Sequence, residues 1–304
     1  MSSTERGSEL VNYIPGLSPT RLVDLPLPFE EKKANFVEVI QRVLINWIHK
    51  AHYLLFPTVF ELDPQAINAL KVEFSFPIYT IGPAIPYTNI LSHHSVVDQS
   101  SQQDQHYLQW LDRQPRGSVL YIALGSFLSV SSTQMDEIAA GLRESGVRFL
   151  WVVRREADRI RELVSCGGGV MGLVVPWCDQ LTVLCHASVA GFWSHCGWNS
   201  VKEGVFAGVP FLTLPIISDQ FLNSKVIVED WKIGWRVKRD QLSGLVGREE
   251  IAGLVSKFMC LESDDHEAQE LRRRVRELRE ICHCAIGQDG SSESNINAFL
   301  RDIS

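Results

Sequence analysis

Between Trp177 and Gln220 the chain carries a strand, a glycine turn and a helix start in the order that builds an anion site. Ala190-Gly191-Phe192-Trp193-Ser194 is a short apolar run that reads as a buried parallel strand. His195-Cys196-Gly197-Trp198-Asn199-Ser200 follows as a turn, and Val201–Ala207 has a helical pattern stopped by Gly208 and Pro210. A helix opened by Asn199 or Ser200 would present its free N–H groups and the positive end of its dipole to that turn. Only small residues, here Gly197, let phosphate groups approach the backbone so closely.

The same stretch resembles the signature box of plant UDP-sugar-dependent glycosyltransferases. The resemblance rests on Trp177, Gln180, His186, His195, Gly197, Trp198, Asn199, Ser200, Glu203, Gly208, Pro210, Pro215, Asp219 and Gln220. Gly125-Ser126, after the run 118–124, is similar to the family's other donor-side loop. Tyr13-Ile14-Pro15-Gly16-Leu17 with Asp24-Leu25-Pro26 resembles a segment from the middle of its acceptor domain. The resemblance covers nearly the whole chain but begins partway through the family's pattern, as if the N-terminal part were lacking. It implies an α/β fold of the GT-B type, with one complete Rossmann-like, doubly wound donor domain and a partial N-terminal α/β domain. The implied reaction is transfer of a sugar from UDP to a hydroxyl of a small lipophilic acceptor, with inversion. Gln220 at the end of the box leans toward glucose.

Each candidate side chain has its own chemistry. Trp177, just past the strand 172–175, can stack its ring on uracil, although a lone Trp is more often core. Cys178 can offer only its backbone to the uracil edge. Gln180 and Glu203 can hydrogen-bond ribose hydroxyls, Glu203 sitting one helical turn beyond Asn199. His195 and Ser126 meet the diphosphate together with Asn199 and Ser200, spreading the charge of the leaving group. Asp219 and Gln220 suit sugar hydroxyls, with a plain helix N-cap as the alternative for Asp219. No metal and no cofactor is implied: UDP-sugar is a co-substrate, no D-x-D motif is present, and the Cys/His residues form no ordered ligand ladder.

Displacement at the anomeric carbon needs a base for the acceptor's proton. In the family this is a His after the first strand of the N-terminal domain, and the chain has no counterpart, so no catalytic residue is assigned. His49 and His52 flank the wrong end of a strand, and His93 and His94 fall on a polar stretch. A silent UDP-sugar-binding chain is therefore the alternative reading, and a nucleotide-binding α/β protein of other chemistry is a third.

The elements that must position these residues alternate β and α, which implies parallel sheets. Helical periodicity runs over 36–50, then a strand at 53–59, a helix at 64–71 and a strand at 78–82. Strands at 118–124, 148–153, 172–175, 189–194, 211–214 and 233–237 alternate with helices at 105–112, 133–145, 156–165, 179–186, 199–207 and 219–229. Further helices are expected over 248–285 and 292–303. The resulting division is 1–83 as the partial acceptor-side domain, 84–104 as a linker, 105–285 as the donor domain and 286–304 as a helix packing back toward the N-terminal part. Gly167-x-Gly169-x-x-Gly172 follows a helix and precedes a strand, the reverse of a dinucleotide fingerprint, and reads as a loop.

Composition narrows the class. A net charge of −7 argues against nucleic acid as partner, and no apolar run has the length of a membrane span. Seven cysteines in irregular spacing point to reduced thiols and a cytoplasmic location. A sheet reduced to 53–59 and 78–82 would leave Trp47, Leu54, Leu55 and Phe56 uncovered, and self-association through that face is expected.

Overall fold

Six parallel strands form the sheet that carries the site. The computed structural model describes residues 7–26, 42, 46–91, 106–125, 130–165, 171–240, 243–260 and 266–304. In chain order the elements are β1 (Leu10–Val11), β2 (Thr20–Arg21), β3 (Leu54–Phe56), α1 (Pro64–Glu73), β4 (Ile78–Thr80), α2 (Thr88–Leu91), α3 (His106–Asp112) and β5 (Val119–Ala123). Then come α4 (Ser132–Ser145), β6 (Arg148–Val152), α5 (Ala157–Ser165), β7 (Gly172–Val175), α6 (Gln180–Leu184), β8 (Val189–Ser194), α7 (Trp198–Ala207), β9 (Phe211–Thr213), α8 (Gln220–Lys225) and β10 (Gly234–Arg236). The chain closes with α9 (Arg248–Met259), α10 (His266–Ile286) and α11 (Ser291–Ile303).

Counting from β5, the strand order is 6-5-4-1-2-3, the doubly wound arrangement whose order reverses between β5 and β8. Ligands of such sheets bind at the carboxyl ends of the strands at that switch point. The central strands are apolar on both sides because helices cover both faces. Val119 and Tyr121 of β5 pack into one core, while Leu120 and Ile122 pack into the other. Helix starts are pinned by side-chain caps where the sequence supplies them: Ser131 accepts from the Gln134 N–H, and Asp179 from the Thr182 N–H. Each such cap contributes about 1 kcal/mol.

Outside this sheet, β3 and β4 pair in parallel and α11 packs on them. Phe299 of α11 meets the rings of Tyr53 and Tyr79, and Asn295 donates to the Thr80 carbonyl. The expected bare face is thus partly covered: Leu54 and Phe56 are half-buried, while Leu55 and Trp47 remain exposed.

A hairpin of β1 and β2, which no sequence pattern predicted, docks on the far edge of the large sheet. Buried Asp24 accepts from Arg21 Nε at 2.8 Å and from Arg236 Nη1 of β10 at 3.1 Å. Buried Lys225 donates to Asp230 at 2.6 Å, and Ser18 donates to the same carboxylate at 2.9 Å. Residues 226–230, read as the end of one helix, instead form a single π-helical turn, which brings Glu229 and Asp230 to this junction. Most of the helix expected over 36–50, the polar stretch 93–105, Ser126, Gly167 and Gly169 lie outside the described residues.

Candidate functional site

A crevice of about 550 Å³ opens at the carboxyl ends of β5, β6, β7 and β8, at the switch point. The turn after β8 sets its floor. Cys196, wholly buried, sits at φ +66°, a left-handed conformation that costs a non-glycine residue about 1–3 kcal/mol. The turn is held against that strain: the Cys196 N–H donates to Ser194 Oγ at 3.0 Å, and its carbonyl accepts from Asn223 Nδ2 at 2.9 Å. It lays the His195 ring over Gly197, where a Cβ would sit 2.6 Å from His195 Nε2. Any side chain at 197 would force the imidazole to shift from this position.

Gly197 is also the N-cap of α7, which corrects the expectation that Asn199 or Ser200 opens the helix. The cap makes no side-chain hydrogen bond, and the first helical bond runs from the Val201 N–H to the Gly197 carbonyl. The N–H groups of Trp198, Asn199 and Ser200 therefore face the crevice without helical acceptors. Whereas α4 and α6 satisfy this end with Ser131 and Asp179, α7 leaves it open to an anion. His195 adds a second donor group: its Nδ1 is buried with no hydrogen-bond partner among the described residues. Burial pulls the imidazole pKa down, against smaller upward pulls from the Ala123 backbone and the Asp219 charge. Burial thus favours the neutral ring.

The opposite wall is a polar network. Tyr121 donates to Gln180 Oε1 at 3.2 Å, which fixes the amide so that Nε2 donates to Ser200 Oγ at 2.9 Å and Glu203 Oε2 at 2.6 Å. Burial lifts the Glu203 carboxyl above its ordinary range, countered by the Gln180 bond. Burial also holds Tyr121 and Cys178 neutral, the Cys178 thiol being raised to about 12 and lying 3.4 Å from the Tyr121 hydroxyl. The thiol is thereby turned into the core, and only the Cys178 main chain is left to meet a ligand. Trp177 stands at the lip with 52% of its surface exposed, an aromatic face ready to be covered.

Of the residues picked out from the sequence, Trp177, Cys178, Gln180, His195, Gly197, Trp198, Asn199, Ser200 and Glu203 line this crevice together. Ser200 belongs to the Gln180–Glu203 network through its hydroxyl and can reach an anion through its N–H alone. The ring of Trp198 leans on Trp231. Asp219 and Gln220 lie off the lining: Asp219 accepts from Asn223 at 2.9 Å, and Gln220 Oε1 accepts from the Ile216 and Ile217 N–H groups. Asp219 caps α8 in position but makes no side-chain cap bond. His186 is structural, held between Ser188 and Asp112.

Three contributors carried no sequence signal. Tyr121 sits in an apolar strand run, Asn223 in a helix, and Arg154 two residues past β6, beside Trp177 in strand register. Among the described residues no three His, Cys, Asp or Glu side chains converge as a metal set, and no helix is long and apolar enough to cross a membrane.

Residues 12–243 match the family described as UDP-glucoronosyl and UDP-glucosyl transferase. UDP-glycosyltransferase 87A1 of Arabidopsis thaliana is 48% identical over 302 residues, which are 99% of this chain and 66% of that protein. The structure of Phytolacca americana UGT2 complexed with UDP-2fluoro-glucose and pterostilbene is similar with a TM-score of 0.81 at 31% identity, covering 98% of this chain and 64% of that one. A UDP-glucosyltransferase from Polygonum tinctorium capable of glucosylating indoxyl gives 0.80 at 29% identity, covering 97% and 64%. This chain thus spans less than two thirds of the length of each of these proteins.

Proposed function

Because the chain belongs to the UDP-glucoronosyl and UDP-glucosyl transferase family, with the GT-B α/β fold of its structural relatives, we propose that the crevice holds the UDP moiety of a nucleotide sugar, glucose being the sugar favoured. The observation that carries this reading is the uncapped start of α7 facing the same cavity as Trp177 and the Gln180–Glu203 pair. Uracil stacks on Trp177 and meets the Cys178 main chain, ribose hydroxyls donate to Glu203, and the diphosphate takes the N–H groups of Trp198, Asn199 and Ser200. Ser126 is assigned to the diphosphate; Asp219 and Gln220, which lie off the lining with Asp219 accepting from Asn223 and Gln220 Oε1 from the Ile216–Ile217 backbone, address the sugar only through their remaining polar atoms. In the reaction the acceptor hydroxyl, giving up its proton to a base not assigned in this chain, attacks the anomeric carbon from the face opposite UDP as the bond to UDP breaks, so configuration inverts. The departing diphosphate gains charge as the bond breaks, and fixed dipoles with His195 stabilise it there without a metal ion. The division into an acceptor-side part, a linker, a donor domain and a returning C-terminal helix, and a cytoplasmic location, belong to the same reading.

A second reading is donor binding without turnover. It is favoured by the lining itself: Pro86 is the one residue before position 105 that lines the crevice among the described residues, and His195 stands on the leaving-group side. Titration calorimetry with UDP and UDP-glucose, with and without EDTA, tests the donor site; absence of binding at millimolar ligand refutes it. Transfer of glucose to a model phenol by the same preparation separates the two readings. Chelation that weakens binding about tenfold or more would overturn the metal-free diphosphate site.

A further inference from the structure

Behind the sheet, at the end away from the crevice, lies a second cleft of about 360 Å³. Its floor is the Gly117 turn before β5, the first residues of β8 and the Gly208–Pro210 turn before β9; α10 forms its roof. Arg116, Arg272 and Arg276 line it, and no acidic side chain does. None of the three makes an ion pair or a side-chain hydrogen bond among the described residues, whereas the intervening Arg273 and Arg274 are both paired with Glu270. On helix α10, Arg273 and Arg274 are thus neutralised by Glu270, while Arg272 and Arg276 at the cleft are not. Arg272 and Arg276 are four residues apart on one helix face, a spacing at which like charges disfavour each other. The chain as a whole is acidic, at −7, so this concentration is local and not the expression of a generally basic surface.

An anion resolves that repulsion. Guanidinium groups match phosphate oxygens in paired hydrogen bonds, and three of them around one cavity suit a doubly charged group. The cavity is at the small end of ligand pockets and smaller than the crevice, which suits a small phosphate ester better than a nucleotide sugar. We propose that this cleft is a second anion site, which takes inorganic phosphate or a small phosphate monoester and is separate from the nucleotide crevice.

The test is calorimetric titration of inorganic phosphate into the full chain already saturated with UDP, at constant ionic strength against chloride. Saturable binding is expected, and the double variant Arg272→Gln/Arg276→Gln should weaken it about tenfold or more, the scale of lost charge-assisted bonds, with UDP affinity and melting temperature unchanged. Arg273→Gln, on the same helix but paired, should leave phosphate binding intact. The proposal is overturned by absence of saturable binding, by an equal loss in Arg273→Gln, which would mean diffuse charge, or by binding that UDP abolishes, which would place phosphate in the crevice. Failure here with UDP binding intact leaves the donor reading standing, and loss of UDP binding sinks only that reading.

Discussion

Replacing Glu203 by Gln keeps the side chain's shape and removes its charge, which separates what the carboxylate costs the fold from what it gives the ligand. Burial raises the Glu203 carboxyl above the ordinary carboxylate range, so the folded chain holds its proton at a pH where the unfolded chain has lost it. Stability from this group is therefore full below the ordinary carboxylate pKa, falls as pH rises through the raised value, and stays low at neutrality. The substituted amide has no charge to desolvate and can still accept from Gln180 Nε2 through its oxygen. The variant's melting temperature should lack that slope across the acid range and match or exceed the parent's at pH 7. Nucleotide binding should move the other way. A charged acceptor outperforms a neutral one by about 1 kcal/mol per hydrogen bond, so two ribose hydroxyls amount to about 1–2 kcal/mol, or about 5–30-fold in Kd for UDP. Calorimetry with UDP, 2′-deoxy-UDP and 3′-deoxy-UDP on both proteins completes a cycle. Removing a hydroxyl should cost the parent more than the variant. Equal losses on all three ligands, or UDP affinity unchanged by Glu203→Gln, would refute the placement of ribose against this carboxylate.

Other outcomes follow from the same geometry. Trp177→Ala should weaken UDP binding by about 1–3 kcal/mol, the worth of a base stacked on an aromatic ring, while melting stays nearly unchanged because the ring is half exposed; a large drop in melting temperature would make Trp177 a core residue. Asn223→Ala leaves the Cys196 carbonyl without its partner and should cost about 1–3 kcal/mol in urea unfolding, with weaker UDP binding as the His195 turn relaxes; unchanged unfolding contradicts that role. Lys225→Met breaks the buried pair with Asp230, at about 1–3 kcal/mol once the partial exposure of Asp230 is discounted, and should speed proteolysis in the exposed loop around Tyr13. Equal protease lifetimes would show that the hairpin is held by something else.

The large sheet was legible because its strands are buried on both faces and read as unbroken apolar runs, and every expected strand from 118 to 237 appears within a residue or two. The β1–β2 hairpin was not, since two-residue strands have no period; what holds it are ion pairs such as Asp24 with Arg236, 212 positions apart. At the site, glycine and polar spacing exposed the α7 start, but its cap was misplaced because Gly197 lacks the side chain by which caps are recognised. Tyr121 was invisible for a different reason: only strand register turns its hydroxyl toward Gln180. Nor could sequence show Gln220 spending its amide oxygen on the Ile216–Ile217 backbone.

The packing of α11 on β3 and β4 also sets an order of events during synthesis. Tyr53 meets Asp302 across 249 positions, and Thr80 meets Asn295 across 215. A ribosome adding about 5–20 residues per second takes about 10–40 s to cover the shorter of those gaps. For much of that interval β3 and β4 are out of the tunnel without α11, while the six-stranded sheet encoded between them gains its last strand at Gly234–Arg236 and can close first. Strands β3 and β4, made before the large sheet, are thus completed after it, and the nascent protein is open to aggregation along their face until α11 arrives.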